Sequence, residues 1–465
     1  MSHTRENRRT VNIEFYLALA CAMARFAFCC YRAWRQAITI DEATTCNTYV
    51  SGPWSLLAAP YDVNNHVLFT ICAKLSVLAF GMSEFTLRLP SVLAGLLLIL
   101  GVFDLLQQTV RSPSLRWAAF IAVCLHPLML DFSIAARGYG MSEAFFVWAV
   151  CYALRKRYVA SGLLLGLAAS AHLSIVIPSL ALILTVTCLE YRDCRRVPVK
   201  MTASAFALFA VICFASMRSA QRGDFTLGFP TLRQTLLHLI WSSIRAMTGP
   251  GLFGTSRGLE IIATFLAPAL ALISIAFSLR LLGDPAARVR LVPLVTLAVT
   301  LGGIVVAHFL FSLPYPVDRA ALFAVPLGAA MWAVSGDSSN HSVVRLVWLL
   351  PFVVFALQCV TQLQTRAFVS WPWAMDNREI AGLLRERTAQ RPPASVSVST
   401  NWTMQSEMEF YRRYYHIRAL RPIERHVPTL LSGFDFYVLN TAFDDVDGLR
   451  VVFADPWAQV VVATR

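Results

Sequence analysis

Two adjacent acids, Asp41 and Glu42, open a polar stretch in a chain that is otherwise 57% hydrophobic. The stretch, IDEATTCNTYVSGPWSLLAAPYDVNNH, runs from Ile40 to His66 and closes on Asp62, Asn64, Asn65 and His66. A carboxylate at the edge of an apolar body can act as a general base, taking the proton of an acceptor hydroxyl as that oxygen forms its new bond. Solvated loop acids, or acids capping a helix that starts near Thr44, read the same way. Amides and an imidazole at a helix N-terminus can hold an anion or a sugar, or can simply be the N-cap of the apolar run that follows. Further along, Arg137, Tyr139 and Glu143 occur in SIAARGYGMSEAFF, and Tyr315, Asp318 and Arg319 in LPYPVDRAALFAVPL. A guanidinium grips a phosphate through parallel hydrogen bonds. Either arginine can equally be a flanking or snorkelling anchor at a membrane edge. Together these groups describe transfer of a sugar from a phosphate-linked donor to a hydroxyl. Asp41 would be the base, with Glu42 or Asp62 as helper. Arg319 and Arg137 would hold the phosphate, with His66, Asn65 and Tyr139 beside it. His172 and His308 are assigned no role, because lone histidines near span ends more often pack.

These groups must be positioned by a bilayer-spanning body. The chain has 465 residues, 14% of them charged, against about 25% in a soluble domain. Its mean hydropathy is +0.58, and several apolar runs reach the roughly 20 residues needed to cross a bilayer. The net charge of +13 follows from arginine clusters between apolar runs. No basic stripe on a soluble domain points to nucleic acid. Most of the 11 cysteines lie in apolar runs, and no CxxC or Cys/His metal spacing occurs. For Cys46 and Cys72, in the first loop region, a disulfide and free thiols both remain open. A lipid phosphate leaves readily, so no cofactor is demanded; a divalent metal is left open.

The basic RENRRT segment places the N-terminus in the cytoplasm and the Asp41 loop outside, across a first span from about Val11 to Trp34. Arg25, mid-span, should face the bundle interior. Val67–Phe80 is short for a span and carries Lys74, so it reads as a helix lying on the outer face. The remaining spans fall near Leu87–Leu106, Trp117–Leu130, Gly140–Leu154, Tyr158–His172, Ser174–Leu189, Met201–Met217, Leu259–Leu281, Leu291–Phe311, Arg319–Val334 and Val344–Gln364. That makes about eleven. Asp104 is expected to pair with an arginine. Between spans, Ser219–Arg257 holds an amphipathic helix, TLRQTLLHLIWSSIRAM, and a GPGLFG turn. After a membrane domain over 1–365, residues 366–465 read as a small extracytoplasmic α/β domain. Its strands are ASVSVST and FDFYVLN, VVFADPWAQVVVATR is a hairpin, and Thr403–His416 is a helix capped by Asn401 or Thr403. Reporters fused after Arg157 and Arg290 are expected to read cytoplasmic, and those after Asp62 and Arg366 external. An external signal at Arg157 would overturn the surface placement of Val67–Phe80.

IDEA after the first span, NNHVLF, GMSEFTLRLPSVLAG, IAARGYGM and YPVDRAALFAVPL resemble the bacterial branch of the dolichyl-phosphate-mannose protein mannosyltransferase superfamily. That branch includes the aminoarabinose lipid A transferase and the rhizobial lipopolysaccharide galacturonosyltransferases. The similarity spans about Ile40–Leu189, with a second patch at Tyr315–Leu327. FTLRLPSVLAG is its most specific string and marks the fold more than the chemistry. The resemblance implies an all-α polytopic GT-C fold in a bacterial inner membrane and a polyprenyl-phosphate sugar donor. The acceptor would be a lipid, glycan or protein hydroxyl. It maps the loop acid onto Asp41 and the phosphate arginine onto Arg319. Where many relatives carry His-Pro-Pro or Lys-Pro, this chain has Asn65–His66–Val67. Where some carry an acid after the third span it has ARGYG, with Asp131 and Glu143 the candidates to serve instead. The alternative, a transporter or flippase of lipid-linked glycans, requires broken spans in matching halves. The polar groups concentrate on one face instead.

Overall fold

Ser83 and Thr86 bracket the start of a 26-residue helix. The Ser83 hydroxyl accepts the Thr86 N–H at 3.0 Å and Thr86 Oγ1 accepts the Ser83 N–H at 2.9 Å, so two donors that a helix start leaves orphaned are satisfied reciprocally. Proline fixes two further starts, Pro113 and Pro127, where its missing N–H is no loss. The structure, a computed structural model, describes residues 2–59, 62–218, 228–244, 264–265, 267–283, 285–338, 341–423 and 433–464. Its first eleven helices are α1 (Ser2–Arg35), α2 (Ile40–Thr45), α3 (Val67–Phe80), α4 (Glu84–Thr109), α5 (Pro113–Leu125), α6 (Pro127–Phe132), α7 (Gly138–Leu154), α8 (Tyr158–Ala171), α9 (Val176–Cys194), α10 (Val199–Met217) and α11 (Leu232–Ile244). There follow α12 (Ala267–Ser278), α13 (Val292–Phe311), α14 (Ala324–Asp337), α15 (Ser342–Thr361), α16 (Asn377–Arg387) and α17 (Gln405–Tyr414).

Among the described residues, six helices are long and apolar enough to cross a membrane, and Val67–Phe80, Pro113–Leu125, Tyr158–Ala171 and Pro268–Ser278 are shorter apolar helices. The chain is a multi-pass helical membrane protein with a small C-terminal sheet. The expected spans coincide with helices to within a few residues, with two refinements. The span near Trp117–Leu130 is two helices broken at His126–Pro127. The span starting near Arg319 begins with a 3-10 turn, Asp318–Ala321, before α14. The amphipathic helix expected after residue 219 is α11. The GPGLFG turn, and the start of the span expected from Leu259, lie outside the described residues.

Arg25 explains how the break at His126 is tolerated. It is 7% exposed, and its guanidinium donates to the carbonyls of Cys124 (3.0 Å) and Met129 (2.8 Å) and to Ser133 Oγ (2.8 Å). A broken helix frees carbonyls that lipid cannot satisfy, and the arginine supplies the donors. Asp104 meets Arg155, as expected. Lys74 differs from expectation. It is buried rather than at the surface, and Nζ donates to the carbonyls of Tyr49 (2.9 Å), Val50 (3.0 Å) and Gly52. It caps the turn that follows α2, while Leu75, Leu78 and Phe80 of α3 are the exposed apolar face. Cys46 and Cys72 are both free thiols.

The C-terminal sheet has strands β1 (Val398–Thr400), β2 (Phe436–Asn440), β3 (Arg450–Asp455) and β4 (Val460–Thr464), ordered β1-β2-β4-β3. β1 pairs parallel to β2, and β3 and β4 form the expected antiparallel hairpin. The helix expected from Thr403 is α17; Asn401 instead closes a turn, accepting the Thr403 N–H at 2.9 Å. α17 lies on α2. Thr44 Oγ1 donates to Ser406 Oγ at 2.9 Å and Asn47 Nδ2 to the Ser406 carbonyl at 2.9 Å. Tyr411 accepts the Ile38 N–H at 3.1 Å and donates to Glu84 at 2.5 Å. The C-terminal helices therefore form one wall of the loop that carries the two acids.

Candidate active site

The two acids of the loop point to different sides, because consecutive helical residues are rotated by about 100°. Glu42 turns inward and is fully buried. It closes a capping box with Thr39. Its carboxylate takes Arg88 as a two-pronged partner, Nε to Oε1 at 2.8 Å and Nη2 to Oε2 at 2.6 Å, and also accepts the Ala136 N–H at 2.6 Å. Arg88 itself is fully buried and donates to the carbonyls of Ala33 (3.0 Å), Gln36 (2.7 Å) and Ala37 (2.9 Å), which end α1. One ion pair thus ties together the end of α1, the start of α2, α4 and the turn before Arg137. Arg88 belongs to the FTLRLPS string.

Asp41 faces the other way, its side chain 21% exposed, with Oδ2 3.9 Å from an Arg137 Nη atom. Arg137 stands at the N-cap position just before α7, and its side chain turns to the loop rather than to the helix end. Its guanidinium donates to Asn64 Oδ1 (2.9 Å) and Thr45 Oγ1 (3.0 Å) and reaches the carbonyl of Val63 (3.3 Å). Asp62 shapes this loop by accepting the Asn64 N–H at 2.6 Å, an Asx turn. Asp62 therefore lies beside the site as a loop-forming acid. The ARGYGM string has a steric reason. A Cβ at Gly138 would stand 1.8 Å from the Ala171 carbonyl oxygen, and one at Gly140 2.0 Å from that of Phe132. Only glycine lets α7 start so close to its neighbours.

Those approaches bring α8's end to the site, and with it His172, to which the sequence assigns no role. The His172 ring is 3.9 Å from that of Tyr139 and 4.7 Å from that of His66. Its Nδ1 accepts the Ser174 N–H at 3.0 Å, which leaves the proton of the neutral ring on Nε2. Burial, and then the charges of Arg137 and Arg319, hold the His172 pKa down at about 3; His66 is held well below the ordinary histidine value by burial first, then Arg137. Both imidazoles are therefore neutral at physiological pH. Tyr139 continues through Phe132 (5.1 Å) to Trp371 (5.8 Å), over which the Arg319 guanidinium sits at 5.5 Å. Tyr139 and Asp41 lie within electrostatic reach of Arg319.

α11 clamps the Arg319 loop. Phe229 and Tyr315 exchange backbone hydrogen bonds at 2.7 and 2.9 Å, Thr235 donates to the Pro316 carbonyl at 2.7 Å, and Ser242 to Asp318 at 2.5 Å. Asp318 in turn accepts the Arg319 N–H at 2.7 Å. Four buried polar atoms of the site have no protein partner: Arg137 Nε, Arg319 Nε, Asn65 Nδ2 and His66 Nε2. Three are obligatory donors. Asp131 pairs with Arg32 at 2.5 Å and accepts the Val369 N–H at 2.6 Å, so it is engaged outside the cluster. Glu143, one turn below Tyr139 on α7, is buried with Oε2 unpartnered. Among the described residues, no three of His, Cys, Asp and Glu converge as metal ligands.

The architecture is that of the GT-C membrane fold. Among solved structures the chain is similar to ArnT from Cupriavidus metallidurans in the apo state, with a TM-score of 0.55, 13% identity, and 98% of each chain covered. It also aligns with the crystal structure of that ArnT bound to undecaprenyl phosphate, at a TM-score of 0.46 and 15% identity over 97% of each chain. At these identities the likeness is one of fold. No protein-family model and no curated protein matches the sequence.

Proposed function

We propose that the chain is a membrane glycosyltransferase that moves a sugar from a polyprenyl-phosphate donor to a hydroxyl of a lipid, glycan or protein acceptor, with inversion. The observation that carries this reading is the pair of unpartnered buried guanidinium donors on Arg137 and Arg319 beside Asp41, with Asn65 offering a third buried donor. Buried donors without acceptors are costly unless a ligand supplies oxygens. A phosphate monoester joined to a sugar has the right charge and the right lone pairs. The aromatic path from Trp371 to His172 offers flat apolar surface for a sugar ring.

In the proposed reaction the acceptor oxygen attacks the anomeric carbon from the face opposite the phosphate. Its proton passes to Asp41, the bond from that carbon to the phosphate oxygen breaks, and the lipid phosphate leaves with the electron pair. Arg319 and Arg137 balance its charge. Neutral His66 and His172 offer hydrogen bonds without adding a charge that Asp41 would pair with. Asp62 and Glu42 shape the loop around the base. The arginine-rich inner segments support a reaction on the external side, with the N-terminus cytoplasmic.

Envelope glycolipids, glycans and glycoproteins compared by mass spectrometry with and without the gene should differ by one sugar unit on one acceptor class. An unchanged set would overturn the reading. The donor site is tested separately with purified protein in nanodiscs titrated with undecaprenyl phosphate. Arg319→Ala should weaken binding by about tenfold to a hundredfold, the worth of charge-assisted hydrogen bonds. Arg319→Lys should fall in between, because an ammonium cannot reproduce the planar fork. If both variants bind as wild type does, Arg319 is an interfacial anchor and the phosphate belongs to Arg137.

A further inference from the structure

Glu407 is the least explained ionisable group of the C-terminal helices. It is fully buried on α17, and neither carboxyl oxygen has a hydrogen-bond partner. Its position is set on both sides. Ser406, next to it, is held by Thr44 and Asn47, and Tyr411, one turn on, meets Ile38 through its hydroxyl. Glu407 therefore faces the turn that leads into Asp41. The polar side chain it meets there is Asn377 of α16. The Asn377 amide donates to the Ile38 carbonyl at 3.1 Å, and its Oδ1 is a third buried acceptor with no partner.

Buried acceptors left unsatisfied at this contact of α16 and α17 are costly. One proton resolves the arrangement: a carboxylic acid at Glu407 donates to Asn377 Oδ1 and keeps its carbonyl oxygen. The charges around it point the same way. Asp41 and Glu42 on α2 carry negative charge within electrostatic reach of it. The cations nearby are already engaged, Arg88 by Glu42 and Arg378 of α16 by Glu84. On its own helix Tyr411 is bound to Glu84, and Glu409 is held by Arg412 and Arg413. Burial, then Asp41 and Glu42, push the Glu407 pKa well above the ordinary carboxyl value.

We propose that Glu407 is a positioning residue for the transfer reaction, held as a neutral acid between α17 and the Asp41 turn, and that its ionisation unseats that turn. As a carboxylate it would add a buried negative charge beside Asp41 and Glu42, while Arg88 and Arg378 are already paired with other acids. α17 would then separate from α2, and Asp41 would lose its seat. The inference rests on Asp41 being the base, but its physical core, a neutral buried acid, does not.

Glutamine has the shape of the neutral acid and cannot ionise, so Glu407→Gln is the informative variant. Near neutral pH it should keep turnover within about twofold of wild type, since no charge is lost. As pH rises through the raised carboxyl value, wild-type kcat should fall with donor KM little changed, and Glu407→Gln should lack that fall. Thermal stability should follow the same sign. Between the ordinary carboxyl pKa and the raised folded value, the folded chain holds a proton that the unfolded chain has released, so stability declines as pH rises. That decline should be smaller in Glu407→Gln. Infrared spectra should lose one protonated-carboxyl band in the variant. A shared alkaline fall in kcat, or no change in the carboxyl band, would overturn the proposal. So would a loss of about tenfold or more in folded Glu407→Gln at neutral pH, since glutamine differs from the neutral acid by no charge. If no variant transfers sugar, the functional reading has failed, while the infrared band and the pH dependence of melting still decide whether Glu407 is the neutral seat.

Discussion

Purified, folded Asp41→Asn is expected to turn over about 10²- to 10⁴-fold more slowly than wild type, the usual worth of a positioned acid–base group. Donor affinity should hold. Asparagine keeps the shape of the side chain and its place 3.9 Å from Arg137, but it has no basic oxygen to take the acceptor proton. The fall should appear in kcat, because the lost interaction exists only as the proton moves. A transporter would instead lose flux with no chemical step to isolate. Near-normal turnover in this variant would remove the mechanism, and the base would have to be sought at Asp62 or Glu143. The measurement is single-turnover transfer from a labelled lipid donor, with folding checked by melting temperature.

The neighbouring substitution should act on a different quantity. Glu42→Gln is expected to destabilise the protein by about 3–5 kcal/mol, the range for breaking a buried ion pair from one side. Arg88 would be left charged at 0% exposure, still bound to three carbonyls that end α1 but without its counter-ion. The loss should show as a lower melting temperature and a lower folded yield in detergent, with whatever protein remains folded retaining donor binding. Asp41→Asn, at a partly exposed position, should shift melting little. If Glu42→Gln melts like wild type and loses only rate, then Glu42 takes part in the chemistry directly. The pair of variants thus separates base from scaffold in two residues that stand side by side.

That separation marks the limit of what the sequence could tell. IDEA identified the loop, and the period of helical rotation said that only one acid could face the donor. Which of the two turned inward depended on Arg88, 46 residues away in the chain, inside a string legible as a fold signature but not as an ion pair. The same applies to Lys74. Its place in an apolar run suggested an interface, whereas carbonyls from the preceding loop draw it inward. His172 was beyond reach because nothing local distinguishes it from a packing histidine. The signal lay in Gly138, whose missing Cβ admits the end of α8 to the site. The spans, the hairpin and α11 were legible because apolar period and turn chemistry are local properties. The docking of α17 on α2 was not, since it joins residues more than 350 positions apart.

Arg25 has a consequence for how the protein is made. Its partners at Gly95, Cys124, Met129 and Ser133 are synthesised 70 to 108 residues after it. When the first span leaves the ribosome, a guanidinium lies mid-helix with nothing to bind, and lipid will not accept it cheaply. The first span should therefore stay beside the insertion machinery until α4 to α6 have emerged, and partition into the bilayer with them. Arg25→Leu should release it early and leave the break at His126 with unanswered carbonyls. Crosslinking of arrested nascent chains to the insertion channel would show this directly. In wild type, the first span should crosslink to the channel at every length until Ser133 itself has emerged from the ribosome. In Arg25→Leu, crosslinking should cease as soon as the first span is complete. Equal release in both would mean that the arginine is sheltered by the channel's own water until the clamp forms.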